Sequence, residues 1–183
     1  MSVKEITRII GGDMGTRKDK DFYPTPSWVT EELLSRITLQ GSILEPACGD
    51  GAISEVLKKH GYTVTSSDLY DYGYGKSGLD FLRLQEPVEN IVTNPPFNLS
   101  TKFALHGLNL VSGKMCLFNK LTFLEGKERG SKLFTQNKLE KVIVFSERVN
   151  FDLSTGNRTG GMMSFAWFIF DKKYNGKPTI EWV

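Results

Sequence analysis

Long apolar runs are missing from this chain: no stretch approaches the roughly 20 consecutive hydrophobic residues that a membrane-spanning helix needs, and the polar start does not read as a signal peptide. The expectation is a soluble protein that works in the cytoplasm. Cysteine and histidine are scarce, two of each in 183 residues. Cys48 and Cys116 have no second cysteine or histidine at metal-ligand spacing, so both are expected to be reduced and no metal site is indicated. His60 and His106 fall in helical patterns and read as structural, and no serine or cysteine triad suggests itself. An excess of charge is missing too. Lys and Arg number 23 against 21 Asp and Glu, and a net charge of +2 is too small to demonstrate a polyanionic partner. What remains is an average globular composition, 39% hydrophobic and 24% charged, at a length suited to one domain.

What is present is organised around Ile91-Val92-Thr93-Asn94-Pro95-Pro96-Phe97. A short β-branched apolar run reads as a buried strand, and two prolines stop it, because neither can donate to a sheet ladder. Asn94 then sits just past the strand's C-terminal end, where open α/β sheets place their ligands. A planar amino group, such as adenine N6 or a glutamine amide, is a poor nucleophile because its lone pair is delocalised. The Asn94 side-chain oxygen and the Pro95 carbonyl can accept both of its N–H protons and free that lone pair, while Phe97 can stack on a ring. Asn-Pro-Pro alone is equally an ordinary way to begin a loop.

Residues 1–21 hold Gly11-Gly12, Gly15 and scattered cations with no hydrophobic period, and are expected to form a flexible basic arm, with Lys4, Arg8, Arg17, Lys18 and Lys20 as candidate phosphate contacts. Phe22-Tyr23-Pro24-Thr25-Pro26 precedes a helix carrying Val29, Leu33 and Ile37, with Thr25 as its N-cap and Pro26 as its first residue. Gly41–Leu44 is a short strand leading into Glu45-Pro46-Ala47-Cys48-Gly49-Asp50-Gly51, then a helix with Ile53, Val56, Leu57 and His60 on one face. That glycine turn lacks the third glycine of a dinucleotide fingerprint and the Lys-Ser/Thr of a phosphate loop, so pyrophosphate binding is not indicated. It offers acid instead: Glu45 and Asp50 suit a ligand bearing an ammonium or sulfonium group, as S-adenosylmethionine does.

Residues 63–67 form the second strand and place Asp68 at its end, where a carboxylate can take both ribose hydroxyls. After a flexible aromatic loop over 70–75, Asp80 can accept from an adenine amine and Phe81 can cover its ring. Ser100 can cap a helix with Ala104, Leu108 and Val111 on its buried side. Met115–Phe118, Val142–Phe145 and the apolar Ser164–Phe170 supply three more strands, with Trp167 and Trp182 as packing residues. Lys127, Arg129, Lys132 and Lys138, together with Arg148 and Arg158 in a glycine-rich loop over 146–161, are candidate substrate contacts. All are expected on the same edge of the sheet as Asn94.

Taken together, Phe22–Pro26, Glu45–Gly51, Asp80-Phe81 and Asn94–Phe97 resemble the S-adenosylmethionine-dependent N6-adenine DNA methyltransferases, especially the short phage-type enzymes. Arg148-Val149-Asn150-Phe151 and Ser164-Phe165-Ala166-Trp167 are similar to that family's closing strands. The resemblance implies a Rossmann-like class I α/β sandwich with a mostly parallel seven-stranded sheet and an antiparallel last strand, filling residues 22–183 as one catalytic domain. It implies that Phe22–Pro26 and Glu45–Gly51 hold the methionine moiety, Asp68 the ribose, Asp80 and Phe81 the cofactor adenine, and Asn94, Pro95, Pro96 and Phe97 a flipped-out target adenine of DNA, with Asn94 also touching the cofactor. No stretch is long enough for a separate target-recognition region, so loose sequence selectivity is expected unless a second protomer, as in a homodimer, supplies it. If phage-encoded, the protein would work in the host cytoplasm. Similar motifs occur in RNA adenine and protein glutamine methyltransferases, and a catalytically silent cofactor-binding subunit is the remaining alternative.

Overall fold

The computed structural model describes residues 23–152, 154 and 156–183. The basic arm expected over 1–21, and Phe22 of the first motif, lie outside the described residues. Seven strands form one sheet: β1 (Ile43–Glu45), β2 (Val64–Ser66), β3 (Asn90–Thr93), β4 (Lys114–Lys120), β5 (Leu139–Val144), β6 (Phe165–Asp171) and β7 (Thr179–Trp182), in the order β2-β1-β3-β4-β6-β5-β7. Every neighbouring pair is parallel except that β6 runs antiparallel to both β4 and β5. This is the expected α/β sandwich, and the antiparallel strand is the apolar segment read from the sequence. β7 follows it, pairs parallel with β5, and had no counterpart in the hydrophobic pattern because it is a largely exposed edge strand.

Among the described residues, three α-helices cover the sheet: α1 (Ser27–Leu34), α2 (Ala52–Lys59) and α3 (Ser100–Leu110). Strands buried on both faces read as continuous apolar runs, and β6 shows the reason residue by residue. Phe165, Trp167 and Ile169 point into the layer with Val29 and Leu33 of α1 and Ile53 and Leu57 of α2. Ala166, Phe168 and Phe170 point into the opposite layer with Phe103, Ala104 and Leu108 of α3. β4 alternates in the same way, Met115 and Leu117 into the α3 layer and Cys116 and Phe118 into the other. No helix among the described residues is long and apolar enough to cross a membrane.

Several local expectations change. Helix α1 begins at Ser27 after Pro26, with no side-chain cap bond, and ends before Ile37. The Thr25 hydroxyl is used elsewhere, as described below. Ser100 does not cap α3 from outside; it is the first helical residue, and its hydroxyl donates to the Pro96 carbonyl at 3.3 Å. His60 sits at the end of α2 and meets Glu31 at 2.5 Å, while His106 Nε2 lies 2.9 Å from the Leu84 carbonyl oxygen, so both histidines join structural elements. The aromatic loop expected to be flexible is tied down: the Asp68 and Leu79 amides bond the Lys76 and Asp68 carbonyls at 3.0 Å, and the Tyr74 hydroxyl donates to Glu55.

The two tryptophans expected to pack, Trp167 and Trp182, separate. Trp167 is fully buried, and its indole N–H donates to the Val29 carbonyl at 2.8 Å, joining β6 to α1. Trp182 is 65% exposed on the edge strand, contrary to the packing role expected for it. Trp167→Ala is therefore expected to cost about 3–5 kcal/mol in urea unfolding, as large aromatic truncations in cores do, and Trp182→Ala to stay within about 0.5 kcal/mol. Equal losses in the two variants would contradict this assignment.

Candidate active site

The strand order reverses at β1, which pairs with β2 on one side and β3 on the other. Chain leaving the C-terminal ends of β1 and β3 therefore diverges and leaves a crevice between them. The first loop carries Glu45–Gly51 and the second Asn94–Phe97, so the topology brings together the two motifs that the sequence holds apart. The crevice is a cavity of about 460 Å³, within the ordinary range for a small-molecule site.

Its walls include Tyr23, Pro24 and Thr25 of the first motif, Glu45, Pro46, Ala47, Cys48, Gly49 and Asp50 of the glycine turn, then Asp68, Asp80, Phe81, Asn94 and Pro96. Pro26, Gly51, Pro95 and Phe97, also expected at the site, do not line it. Leu69, Tyr70, Tyr72 and Leu79 do. They come from a loop whose polar, glycine-rich spelling hid its wall-forming role. Asn98, Leu99 and Phe103 complete the side next to Asn94; only their closeness in sequence to the Asn-Pro-Pro stop could have signalled them.

Gly49 and Gly51 adopt φ of 53° and 89°, a region that side-chain-bearing residues avoid. At Gly51 an added Cβ would also lie 2.6 Å from the Tyr74 ring. The turn they permit brings the Gly49 N–H to 2.9 Å from one Asp68 carboxylate oxygen, while the other accepts the Tyr70 N–H at 2.9 Å. Asp68 thus braces the glycine turn against the aromatic loop. Each of its oxygens has a second lone pair for a further donor. Asp80 is similarly placed, accepting the Leu82 N–H at 3.0 Å to start the turn that buries Phe81 against Phe103, centroids 4.8 Å apart.

Glu45 behaves differently. It is 1% exposed and accepts from the Ser54 hydroxyl, which is 2.6 Å from the Ser66 hydroxyl. Burial pushes its carboxyl up to about 8, more than the Ser54 bonds pull it down, and Asp50 and Asp68 add to the rise. Glu45 therefore carries its proton at neutral pH, and Asp50 and Asp68 supply the site's negative charge on this wall. The Cys48 thiol, pushed up to about 12 chiefly by burial, stays protonated and is no nucleophile.

Asn94 closes the cavity opposite. Its Nδ2 donates to the Tyr23 carbonyl at 3.3 Å and lies 3.1 Å from the Thr25 hydroxyl. A carbonyl only accepts, so this contact decides which end of the amide faces the first motif. The Asn94 Oδ1 is left buried with no hydrogen-bond partner among the described residues. A buried acceptor without a donor costs roughly 1–3 kcal/mol, and such groups concentrate where a ligand supplies the missing partner.

The cationic residues do not form one face. Arg129 is spent internally: its guanidinium bonds the Phe123 carbonyl at 2.7 Å and the Thr101 hydroxyl at 3.0 Å. Lys138 lies at the start of β5, the opposite end of the sheet from Asn94, and donates to the Tyr174 carbonyl at 2.8 Å. Lys132 is exposed and pairs with Glu128 at 3.1 Å, and Lys127 is exposed in the same segment. Arg148 and Arg158 stand on a hairpin closed by the Val149–Thr159 bridge, with the Arg158 guanidinium 4.5 Å from the Trp28 ring centroid.

No protein-family model matches the sequence, and no curated protein matches it. Solved structures do match. A candidate modification subunit of a type I restriction enzyme from Vibrio vulnificus superposes with a TM-score of 0.62 at 15% identity, over 98% of this chain and 49% of that one. A candidate RNA methyltransferase from Pyrococcus horikoshii gives 0.57 at 16% identity, over 93% and 99% of the two chains. Magnesium protoporphyrin IX methyltransferase from Synechocystis PCC 6803, with S-adenosylmethionine bound, gives 0.54 at 13% identity, over 80% and 77%. The chain thus spans about half the length of the Vibrio protein. Its fold is the Rossmann-like fold of class I S-adenosylmethionine-dependent methyltransferases.

The protonation of Glu45 gives a pH prediction. Its folded value lies above the ordinary carboxylate value of 4.5, so the native state holds the proton more tightly than the unfolded chain. The associated stability is full below about pH 4.5 and is lost as pH rises through about 8. Urea unfolding is expected to show wild type losing stability between pH 5 and 8 relative to Glu45→Gln, which has no such proton to lose. Parallel pH profiles for the two proteins would refute it.

Proposed function

We propose that the protein transfers the methyl group of S-adenosylmethionine to the N6 amine of adenine in DNA. The observation that carries the reading is the Asn94 amide, held by its nitrogen with its oxygen buried and unpaired beside the cavity. The donor set fits the cofactor as well. Asp68 retains acceptor capacity for ribose hydroxyls, Asp80 and Phe81 line the wall suited to an adenine, and the Asp50 carboxylate suits the methionine ammonium. When bound, the cofactor supplies an activated methyl group on a sulfonium.

The chain's own part is positioning and hydrogen bonding. Asn94 Oδ1 accepts one N–H of the target amine, which disfavours the planar nitrogen and turns its lone pair toward the methyl carbon. With the cofactor bound, the methyl carbon would pass from sulfur to the amine nitrogen, sulfur would keep the bonding pair and leave as the thioether, and the proton lost by the methylated amine would go to solvent. Holding the partners in line is worth roughly 7–11 kcal/mol of barrier. A duplex adenine must first leave its stack, at a cost of a few kcal/mol. The DNA contacts reduce to the exposed Lys127, Lys132, Arg148 and Arg158, whose phosphate contacts would position DNA without reading it, consistent with loose selectivity.

An Asn94 that holds an amino group would do so whatever polymer bears it, and a candidate RNA methyltransferase stands among the structural neighbours. RNA adenine is therefore the second reading. Radiolabelled cofactor offered with DNA, RNA and glutamine-containing peptide should label DNA. Asn94→Ala is expected to lower turnover on the order of a hundredfold while S-adenosylhomocysteine affinity, read by calorimetry, changes less than about threefold. Turnover within threefold of wild type would remove Asn94 from the chemistry, and no binding of either cofactor form by wild type would refute the proposal.

A further inference from the structure

Four lysines among the described residues are half-buried: Lys114, Lys120, Lys138 and Lys141. Three of them meet oxygen. Lys114 pairs with Glu140 and Asp171, Lys141 pairs with Glu181 at 2.6 Å, and Lys138 donates to the Tyr174 carbonyl at 2.8 Å. The Lys120 ammonium meets no carboxylate or carbonyl among the described residues and rests 4.7 Å from the centroid of the Phe97 ring. That ring is itself fixed by packing, with centroid distances of 6.0 Å to Tyr23 and 5.7 Å to Phe165. An ammonium carries three donors, and one that is partly withdrawn from water against a ring is poised for an anion.

Lys120 also stands at the mouth of a second groove. β4 lies beside β3 with Leu117 opposite Thr93, which puts Lys120 alongside the Asn94–Phe97 stop. On its other side Lys120 is opposite Phe165 of β6, and the Leu121 N–H donates to the Ser164 carbonyl at 2.9 Å. Beyond that bond the two chains part around a groove of about 500 Å³, walled by Leu121, Leu124, Met162 and Met163, with the exposed Glu125 among them. Leu124 is 41% exposed and Met162 77%. We propose that this groove takes the base of the nucleotide next to the target, in a single-stranded or locally opened nucleic acid, with Lys120 holding the phosphate between the two. The proposal rests on nucleic acid being the substrate of the Asn94 site. Charge selects this occupant over an apolar segment of protein. The unpaired cation stands at the end of the groove nearest Asn94, and Glu125 repels phosphate from the groove itself, so the backbone is held at Lys120 and the base is left for the apolar wall. Leucine and methionine accept any base, methionine through its flexible, polarisable thioether. The contact therefore adds affinity without reading sequence, a handhold for a chain with no separate recognition region.

The test uses the full chain and single-stranded oligonucleotides of whichever nucleic acid is labelled, each with one adenine and either intact or abasic at the position before or after it. Wild type is expected to lose about fivefold or more in kcat/KM on one of the two abasic substrates. Met162→Asp is expected to lose as much on the intact substrate and to be indifferent to that abasic position, with S-adenosylhomocysteine affinity, read by calorimetry, changed less than about threefold. Lys120→Ala is expected to raise KM about tenfold and to make the salt dependence of binding shallower by about one unit of log–log slope, and Lys120→Arg to restore both. A wild type equally active on intact and both abasic substrates overturns the groove, as does sensitivity to the missing base that persists in Met162→Asp. An unchanged salt slope in Lys120→Ala overturns the phosphate contact. Each of these leaves the methyltransferase reading intact, whereas wild-type transfer to a glutamine peptide and to no nucleic acid overturns the groove and the proposed substrate together.

Discussion

The hydrogen bond from Asn94 Nδ2 to the Tyr23 carbonyl is the contact on which the site depends. It spans 71 positions of chain and joins the end of β3 to the segment that leads into α1. Because a carbonyl cannot donate, the bond leaves the amide one orientation, with its oxygen buried and without a partner among the described residues. Thr25 reinforces it from the same segment, at the expense of the capping role that its place before α1 suggests. The prolines after Asn94 matter for the same reason: they end the strand where the amide must project.

The carboxylates show how one crevice gives similar groups different tasks. Asp68 is buried but accepts from two backbone N–H groups, which brace the glycine turn against the aromatic loop. Glu45 is deeper and meets a hydroxyl, and there burial outweighs the bond and keeps the proton on. A wall that reads as doubly acidic in sequence therefore presents less charge than its composition suggests. Charge supplied by a cationic ligand would act on Glu45 in the opposite direction, so its protonation and ligand binding are coupled through the same desolvated position.

The cationic residues carry a related lesson. Counted along the chain, Lys127 to Lys138 form a basic cluster. In space they divide among an exposed pair, an internal strut and a contact at the far end of the sheet. Arg129 holds the Phe123 and Thr122 carbonyls, work that any long forked donor in that place could do. A charge run constrains the surface of a protein only after the turns between its members are known.

The residues by themselves determined a good deal. Strands buried on both faces must be continuously apolar, so β3, β4 and β6 were visible as runs. Positive φ demands glycine, so the turn after β1 was visible as Gly49 and Gly51, and the Asn-Pro-Pro stop marked the end of β3. Much of the cavity wall followed, because Glu45–Asp50, Asp68 and Asn94 fall at or just past strand ends. What only the tertiary structure decided were matters of partnership. The placement of β7, the separation of Trp167 from Trp182, the protonation of Glu45 and the engagement of Phe97 by Tyr23 all depend on residues distant in sequence. Periodicity and spacing report the environment of a residue averaged along its own element. Which donor an amide meets, or which ring lies over another, is settled by how separate elements pack.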